Sequence, residues 1–107
     1  MAYPPEMKIT LVERPELDET FVDSLEAFAF NNNLVRFDMC CVRLDPGNPP
    51  APLTGRRYPV GRVVMPLDAA IELFNKLNHL FSALEKTGII RREVTGSFSA
   101  PPGTTSH

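Results

Sequence analysis

Histidine and cysteine are the side chains that most often carry chemistry, and this chain has two of each. His79 falls among the polar residues of a predicted helix, and His107 is the last residue, so neither a histidine metal site nor a Ser-His-Asp triad is indicated. Cys40 and Cys41 are adjacent on a predicted strand and point to opposite faces, which prevents them from sharing a zinc ion. We interpret both as structural, with a reactive thiol at Cys40 as the alternative.

Phosphate-binding loops and paired carboxylates are not indicated either. The glycines and arginines at residues 46–47 and 54–57 do not follow the order of a P-loop. The acidic residues near the amino terminus are scattered and do not form a catalytic pair. The sequence therefore predicts no catalytic residue, no cofactor and no metal, and we expect a protein that is not an enzyme. A site assembled across an oligomer, with displaced carboxylate or Cys40 pKa values, is the alternative.

The net charge is −2, but its distribution is uneven. The first thirty residues are mainly acidic, and we expect them to lie beside the basic middle segment or to meet it between subunits. A nucleic-acid-associated accessory protein is the alternative, because guanidinium groups bind phosphates. The arginines that would serve it are Arg36, Arg43, Arg56, Arg57 and Arg62.

The chain has 107 residues and a mass of 11.9 kDa, enough for one small domain. We expect tails at residues 1–6 and 99–107 around a single domain at 7–98. No apolar run approaches the ~20 residues that cross a bilayer, and no secretory signal is indicated. The adjacent cysteines make no disulfide framework, so we expect a cytoplasmic protein.

Alternating apolar residues predict an antiparallel sheet. A strand from Phe21 to Phe30 is followed by an asparagine turn at 31–33, since asparagine tolerates positive φ. In the next strand, at 34–44, the residues at 35, 37, 39 and 41 share one apolar face. A third strand is expected at 58–65, and the segments 7–12 and 90–98 are further candidates.

Residues 45–57 hold several prolines and separate the second and third predicted strands. We expect a protruding, semi-rigid loop of polyproline character. Such loops bind aromatic grooves, and exposed sheet edges accept extended peptides, so this loop is the predicted partner-binding site. Its candidate residues are Pro49, Pro50, Pro52, Leu53, Arg56 and Arg57.

An amphipathic helix is predicted from Leu67 to about Thr87, with Gly88 as its left-handed cap. Its apolar arc covers roughly 180°, wider than packing on one sheet requires. The third strand is also apolar on both faces, so we expect a homo-oligomer, with a dimer favoured. The predicted interface residues are Val42, Leu44, Val63, Met65, Leu73, Leu77, Leu80 and Leu84. The predicted fold class is α+β, with a small antiparallel sheet of three to five strands packed against one long helix.

The segment Arg62-Val63-Val64-Met65-Pro66, placed before an amphipathic helix that ends at Gly88-Ile89, resembles a small bacterial family of unknown function. The resemblance covers residues 21–90 and implies a strand-strand-strand-helix core, without catalytic residues or a substrate. At the level of fold, this order is also similar to the SecB-like export chaperones.

These features favour a non-enzymatic binding or scaffold module that acts as an oligomer. Recognition of protein segments in a chaperone-like manner is one version of this hypothesis. Phosphate binding weakens steeply with salt, whereas apolar strand addition does not. Binding measured at low and at high ionic strength therefore distinguishes the protein-binding hypothesis from the nucleic-acid alternative.

Overall fold

The computed structural model describes residues 5–100, and its elements confirm the predicted α+β class. A three-stranded antiparallel sheet has the order β1-β2-β3, and a separate two-stranded sheet follows one long helix. The elements are β1 (Ser24–Asn31), β2 (Leu34–Leu44), β3 (Gly55–Pro66), α1 (Leu67–Lys86), β4 (Arg91–Arg92) and β5 (Phe98–Ser99).

The β1–β2 hairpin confirms the predicted asparagine turn. Asn32 and Asn33 have φ values of 51° and 61°, which match the two-residue turns that suit the twist of a hairpin. The first strand begins three residues later than predicted, because the backbone and the side chain of Asp23 both make hydrogen bonds to β2 at this end. Its N–H donates to the carbonyl oxygen of Cys40, and its carboxylate accepts the N–H of Val42 at 3.0 Å.

The third strand is longer than predicted, since its ladder with β2 runs from Gly55 opposite Leu44 to Pro66 opposite Leu34. The register shifts between Met39 and Cys40, so β3 carries one extra residue there. Pro59 is tolerated beside this irregularity because β3 is an edge strand of the sheet.

The helix ends as the sequence predicts. Gly88 has a φ of +81°, its N–H donates to Glu85 O at 3.1 Å, and the N–H of Ile89 donates to Leu84 O at 3.2 Å. These two bonds define a Schellman motif and satisfy carbonyls that the helix itself leaves unpaired.

We expect Gly88→Ala to lower the free energy of unfolding by about 1–2 kcal/mol, because a Cβ disfavours the left-handed conformation. No heavy atom lies within 4 Å of the added Cβ, so the effect is one of backbone conformation. Gly47→Ala is the matched control, since its Cβ also meets nothing within 4 Å and its φ is not in the left-handed region. Urea unfolding at equal protein concentration measures both variants, and equal losses would contradict the assignment of the cap.

The carboxyl-terminal segment differs from the single strand considered for residues 90–98. It forms a hairpin in which Arg92 pairs with Phe98, and Gly96, with a φ of 93°, allows the turn. Ser99 belongs to β5, so the predicted tail begins too early, and residues 101–107 lie outside the described residues.

Residues 7–12, the other candidate strand, form no strand and are exposed. An extended segment without a neighbour gains no ladder hydrogen bonds. Residues 1–4 of the tail predicted at 1–6 lie outside the described residues.

The described chain divides into two compact units, with the boundary after Asp68. The first contains the three-stranded sheet, and the second contains most of α1 with the β4–β5 hairpin. Within residues 5–100, Cys40 is the one buried hydrophobic residue, with 2% of its surface exposed. The helix has no buried residue.

Candidate protein-binding surface

One side of the three-stranded sheet is apolar, and we call it the apolar sheet face. The register places Leu25 beside Met39, Phe30 beside Val35 and Phe37 beside Val63. Paired residues of an antiparallel sheet project to the same side, which assembles side chains from all three strands. Its members are Leu25, Phe28, Phe30, Val35, Phe37, Met39, Cys41, Tyr58, Val63 and Met65, and the Arg43–Arg56 pair lies at its far end.

The centre of the apolar sheet face is aromatic. The rings of Phe28 and Phe37 stack with centroids 5.0 Å apart and an interplanar angle of 21°. Phe28 nevertheless remains 63% exposed. Aromatic side chains bury large areas in cores and interfaces, so an exposed pair of this kind is typical of a surface that another protein covers.

The opposite side of the sheet, the polar sheet face, carries ion pairs. Arg57 pairs with Glu26, and Arg62 Nε lies 3.1 Å from Asp38 Oδ1. Exposed pairs of this kind contribute little to stability, about 0–1 kcal/mol each. They do, however, make this side compatible with water and distinguish it from the apolar sheet face.

Cys40 lies on the polar sheet face, opposite Pro59. Burial raises the pKa of its thiol, and the carboxylates of Asp38 and Glu26 add to this effect. A raised pKa disfavours the nucleophilic thiolate. The observation supports the structural interpretation of Cys40 over the reactive one.

The helix contributes a second apolar surface, the helix stripe, formed by Leu73, Leu77, Leu80 and Leu84. Their spacing of three and four residues aligns them along one side of α1. Leu80 is 52% exposed and the adjoining Phe74 is 67% exposed. Large apolar side chains at this level of exposure make the helix stripe a candidate contact surface.

Within the second unit, the hairpin covers one end of the helix. Phe98 packs edge-on against Phe81 at 5.3 Å between ring centroids, and the guanidinium of Arg92 lies 4.2 Å above the Phe98 ring. A cavity of about 300 Å³ adjoins this contact and is lined partly by Phe74 and Leu77. The apolar lining connects the cavity to the helix stripe.

The structure brings the predicted interface residues together in three groups. Val63 and Met65 lie on the apolar sheet face, and the four leucines form the helix stripe. Val42 and Leu44 pair with Arg57 and Gly55, which places them on the polar sheet face.

The predicted partner-binding residues are divided between a loop and a strand. Pro49, Pro50, Pro52 and Leu53 are exposed in the loop, whose base is closed by a hydrogen bond from Asp45 N–H to Thr54 O at 2.9 Å. Arg56 and Arg57 lie in β3 instead, because they pair with Arg43 and Val42 of β2. The loop is therefore shorter than the predicted range of 45–57.

The apolar sheet face also contains six residues outside the predicted interface: Leu25, Phe28, Phe30, Val35, Phe37 and Met39. The period of two in β2 predicts that the last three share one buried apolar face, whereas in the structure they are only half-buried. The two strands were predicted, and the register that places Phe28 against Phe37 depends on an irregularity between Glu26 and Ala29.

Residues 5–100 contain no group of three or more metal-ligating side chains of the His, Cys, Asp and Glu types. No helix in this part of the chain combines the length and apolar character needed to cross a membrane. Comparisons with models of protein families, with curated proteins and with solved structures find no match to this chain. Kinship with the bacterial family, and the likeness to the SecB-like chaperones, stay predictions.

Proposed function

We propose that this protein is a non-enzymatic binding or scaffold module that functions as a homodimer, in which the apolar sheet face and the helix stripe are covered by protein. The observation that carries this proposal is that neither unit of the chain, taken by itself, encloses an apolar core. Cys40 is the one buried hydrophobic residue among residues 5–100.

The energetic argument follows from the cost of ordering a chain. Fixing one residue's backbone costs about 1–2 kcal/mol, which burial of apolar surface has to offset at about 25 cal/mol per Å². Side chains such as Phe28 and Leu80 contribute little while they remain more than half exposed. A second copy supplies the missing burial, because stable interfaces cover roughly 1,600 Å² in total.

A second surface for a protein partner is proposed at the loop of residues 45–54. Leu53 is 76% exposed beside its prolines, and the Thr54 hydroxyl donates to the Asp45 carboxylate at 2.9 Å. A closed base and stiff prolines reduce the entropy lost on binding. A scaffold that holds extended polypeptide in a chaperone-like manner is compatible with this surface.

The nucleic-acid alternative receives less support. Arg56, Arg57 and Arg62 each have a carboxylate partner within the chain. A phosphate would have to compete with these carboxylates for the same guanidinium groups.

Co-expression of a tagged and an untagged copy tests the dimer. With equal expression we expect about one untagged chain to co-purify for every two tagged chains, because random pairing into a symmetric dimer also forms tagged–tagged dimers. The untagged chain should remain bound at high salt, because apolar burial is not screened. Recovery of the tagged chain alone would contradict the proposal. Loss of the untagged chain in high salt would indicate a charge-based contact and would also contradict it.

A further inference from the structure

The amino-terminal arm, defined here as residues 7–12, exposes apolar side chains without a strand to pair with. Leu11 is 88% exposed and Ile9 is 63% exposed. The segment has the composition of a strand, with Met7, Ile9 and Leu11 alternating with Lys8 and Thr10. An exposed apolar segment of this kind is a candidate for contact with a partner.

An open edge of the sheet matches this alternation. β3 pairs with β2 on one side and has no described neighbour on the other. Beyond the irregularity at its centre, Val63 and Met65 lie on the apolar sheet face, while Arg62 and Val64 lie on the polar one. A strand added at 61–65 would extend both faces if Met7, Ile9 and Leu11 continued the apolar side.

Charge also favours this pairing. The arm itself carries Lys8 and no carboxylate, but the residues that flank it, at position 6 and at 13–19, carry five carboxylates and one basic side chain. β3 carries three arginines and no acidic residue, and the side chain of Arg62 is 76% exposed despite its pairing with Asp38. Exposed ion pairs contribute little to affinity, which comes from backbone pairing and apolar contact. Their role here is to favour the arginine-rich β3 edge over the β1 edge.

The chain enters the sheet on the side opposite this edge. Asp23 is hydrogen-bonded to Cys40 and Val42 of β2 just before β1 begins, and β3 lies on the other side of β2. An arm pairing with its own β3 would have to pass β2 and β3 to reach the outer side of the sheet, three strand spacings or roughly 14 Å from β1. A second copy can present its edge without that crossing.

We propose that residues 7–12 of one copy add as a fourth strand to the β3 edge of a second copy, next to residues 61–65. This arm exchange rests on the proposed homodimer and specifies one of its contacts. It covers the arm and closes the β3 edge of the sheet in one interaction.

Hydrogen exchange on the full chain tests the proposal, with Ile9→Asp/Leu11→Asp as the disrupting variant. Thr10→Asp/Val12→Asp is the matched control, because it adds the same charge on the other side of the arm. We expect alternate amides within 61–65 to exchange at least about tenfold faster in the disrupting variant than in the wild type or the control. Adding a synthetic peptide of residues 5–14 should restore protection in the disrupting variant.

Other results would overturn the inference. Equal exchange at 61–65 in all three proteins, while light scattering still shows dimers, overturns the arm exchange and leaves the proposed function standing. Protection that persists when the wild type is diluted to monomers indicates pairing within one chain and overturns it as well. A wild type that is monomeric at every concentration overturns both proposals.

Discussion

Replacing Val63 by aspartate is expected to raise the dimer dissociation constant by about 100-fold or more, at 1.4 kcal/mol for each factor of ten. Val63 lies opposite Phe37 on the apolar sheet face. A carboxylate there would be buried without a partner when the second copy covers the face, and such burial costs several kcal/mol. Sedimentation velocity over a range of concentrations measures the change.

The neighbouring residue provides the control for this experiment. Val64 is 51% exposed and lies opposite Arg36 on the polar sheet face, where a carboxylate has a cationic neighbour. We expect Val64→Asp to leave the dissociation constant within about threefold of the wild type, an energy change under 1 kcal/mol. A larger loss for Val64→Asp than for Val63→Asp would mean that the interface lies on the other side of the sheet.

Truncation of the helix stripe is expected to have the second-largest effect. Leu77 and Leu80 are 41% and 52% exposed in the single chain, so their truncation there would cost far less than truncation in a core. If the stripe is buried between copies, Leu77→Ala and Leu80→Ala each lower the free energy of unfolding by about 2–5 kcal/mol. Urea unfolding at two protein concentrations measures the loss and its dependence on association.

Lys76→Ala is the control on the polar side of the same helix. Its Nζ lies 2.8 Å from Glu72 Oε1, an exposed pair four residues apart that is worth about 0.3–0.5 kcal/mol. The interaction also lowers the pKa of Glu72. Losses at Leu77 and Leu80 no greater than the loss at Lys76 would show that the helix stripe stays in water.

Local features of the fold were predictable from single residues. The asparagine turn and the glycine cap follow from which residues tolerate positive φ, and both are observed at Asn32, Asn33 and Gly88. The carboxyl-terminal hairpin was harder to predict, because its strands Arg91–Arg92 and Phe98–Ser99 are too short to show a periodic pattern.

Features that depend on strand pairing were not predictable in the same way. Ala27 adopts a φ of 61°, although alanine has no preference for that region, because the β1–β2 register shifts there. The burial of Cys40 depends on its place between Ser24 and Pro59, which the sequence of β2 alone does not reveal. Arg56 and Arg57 lie in β3 because they pair with Arg43 and Val42 of β2, and this pairing is likewise not visible in the sequence.

The apolar excess was predictable, and its location was predictable in part. The width of the helical arc and the apolar character of the third strand identified the four leucines, Val63 and Met65. The contribution of β1 could not be predicted without the β1–β2 register. That register places Phe28 of β1 against Phe37 of β2, where the two rings stack.

Sedimentation equilibrium of the full-length wild type tests most directly whether a second copy completes the fold. We expect a mass of twice 11.9 kDa at high concentration, with cooperative structure lost as dilution drives dissociation. A species of 11.9 kDa at the highest concentration, with the same cooperative unfolding transition, would contradict the account.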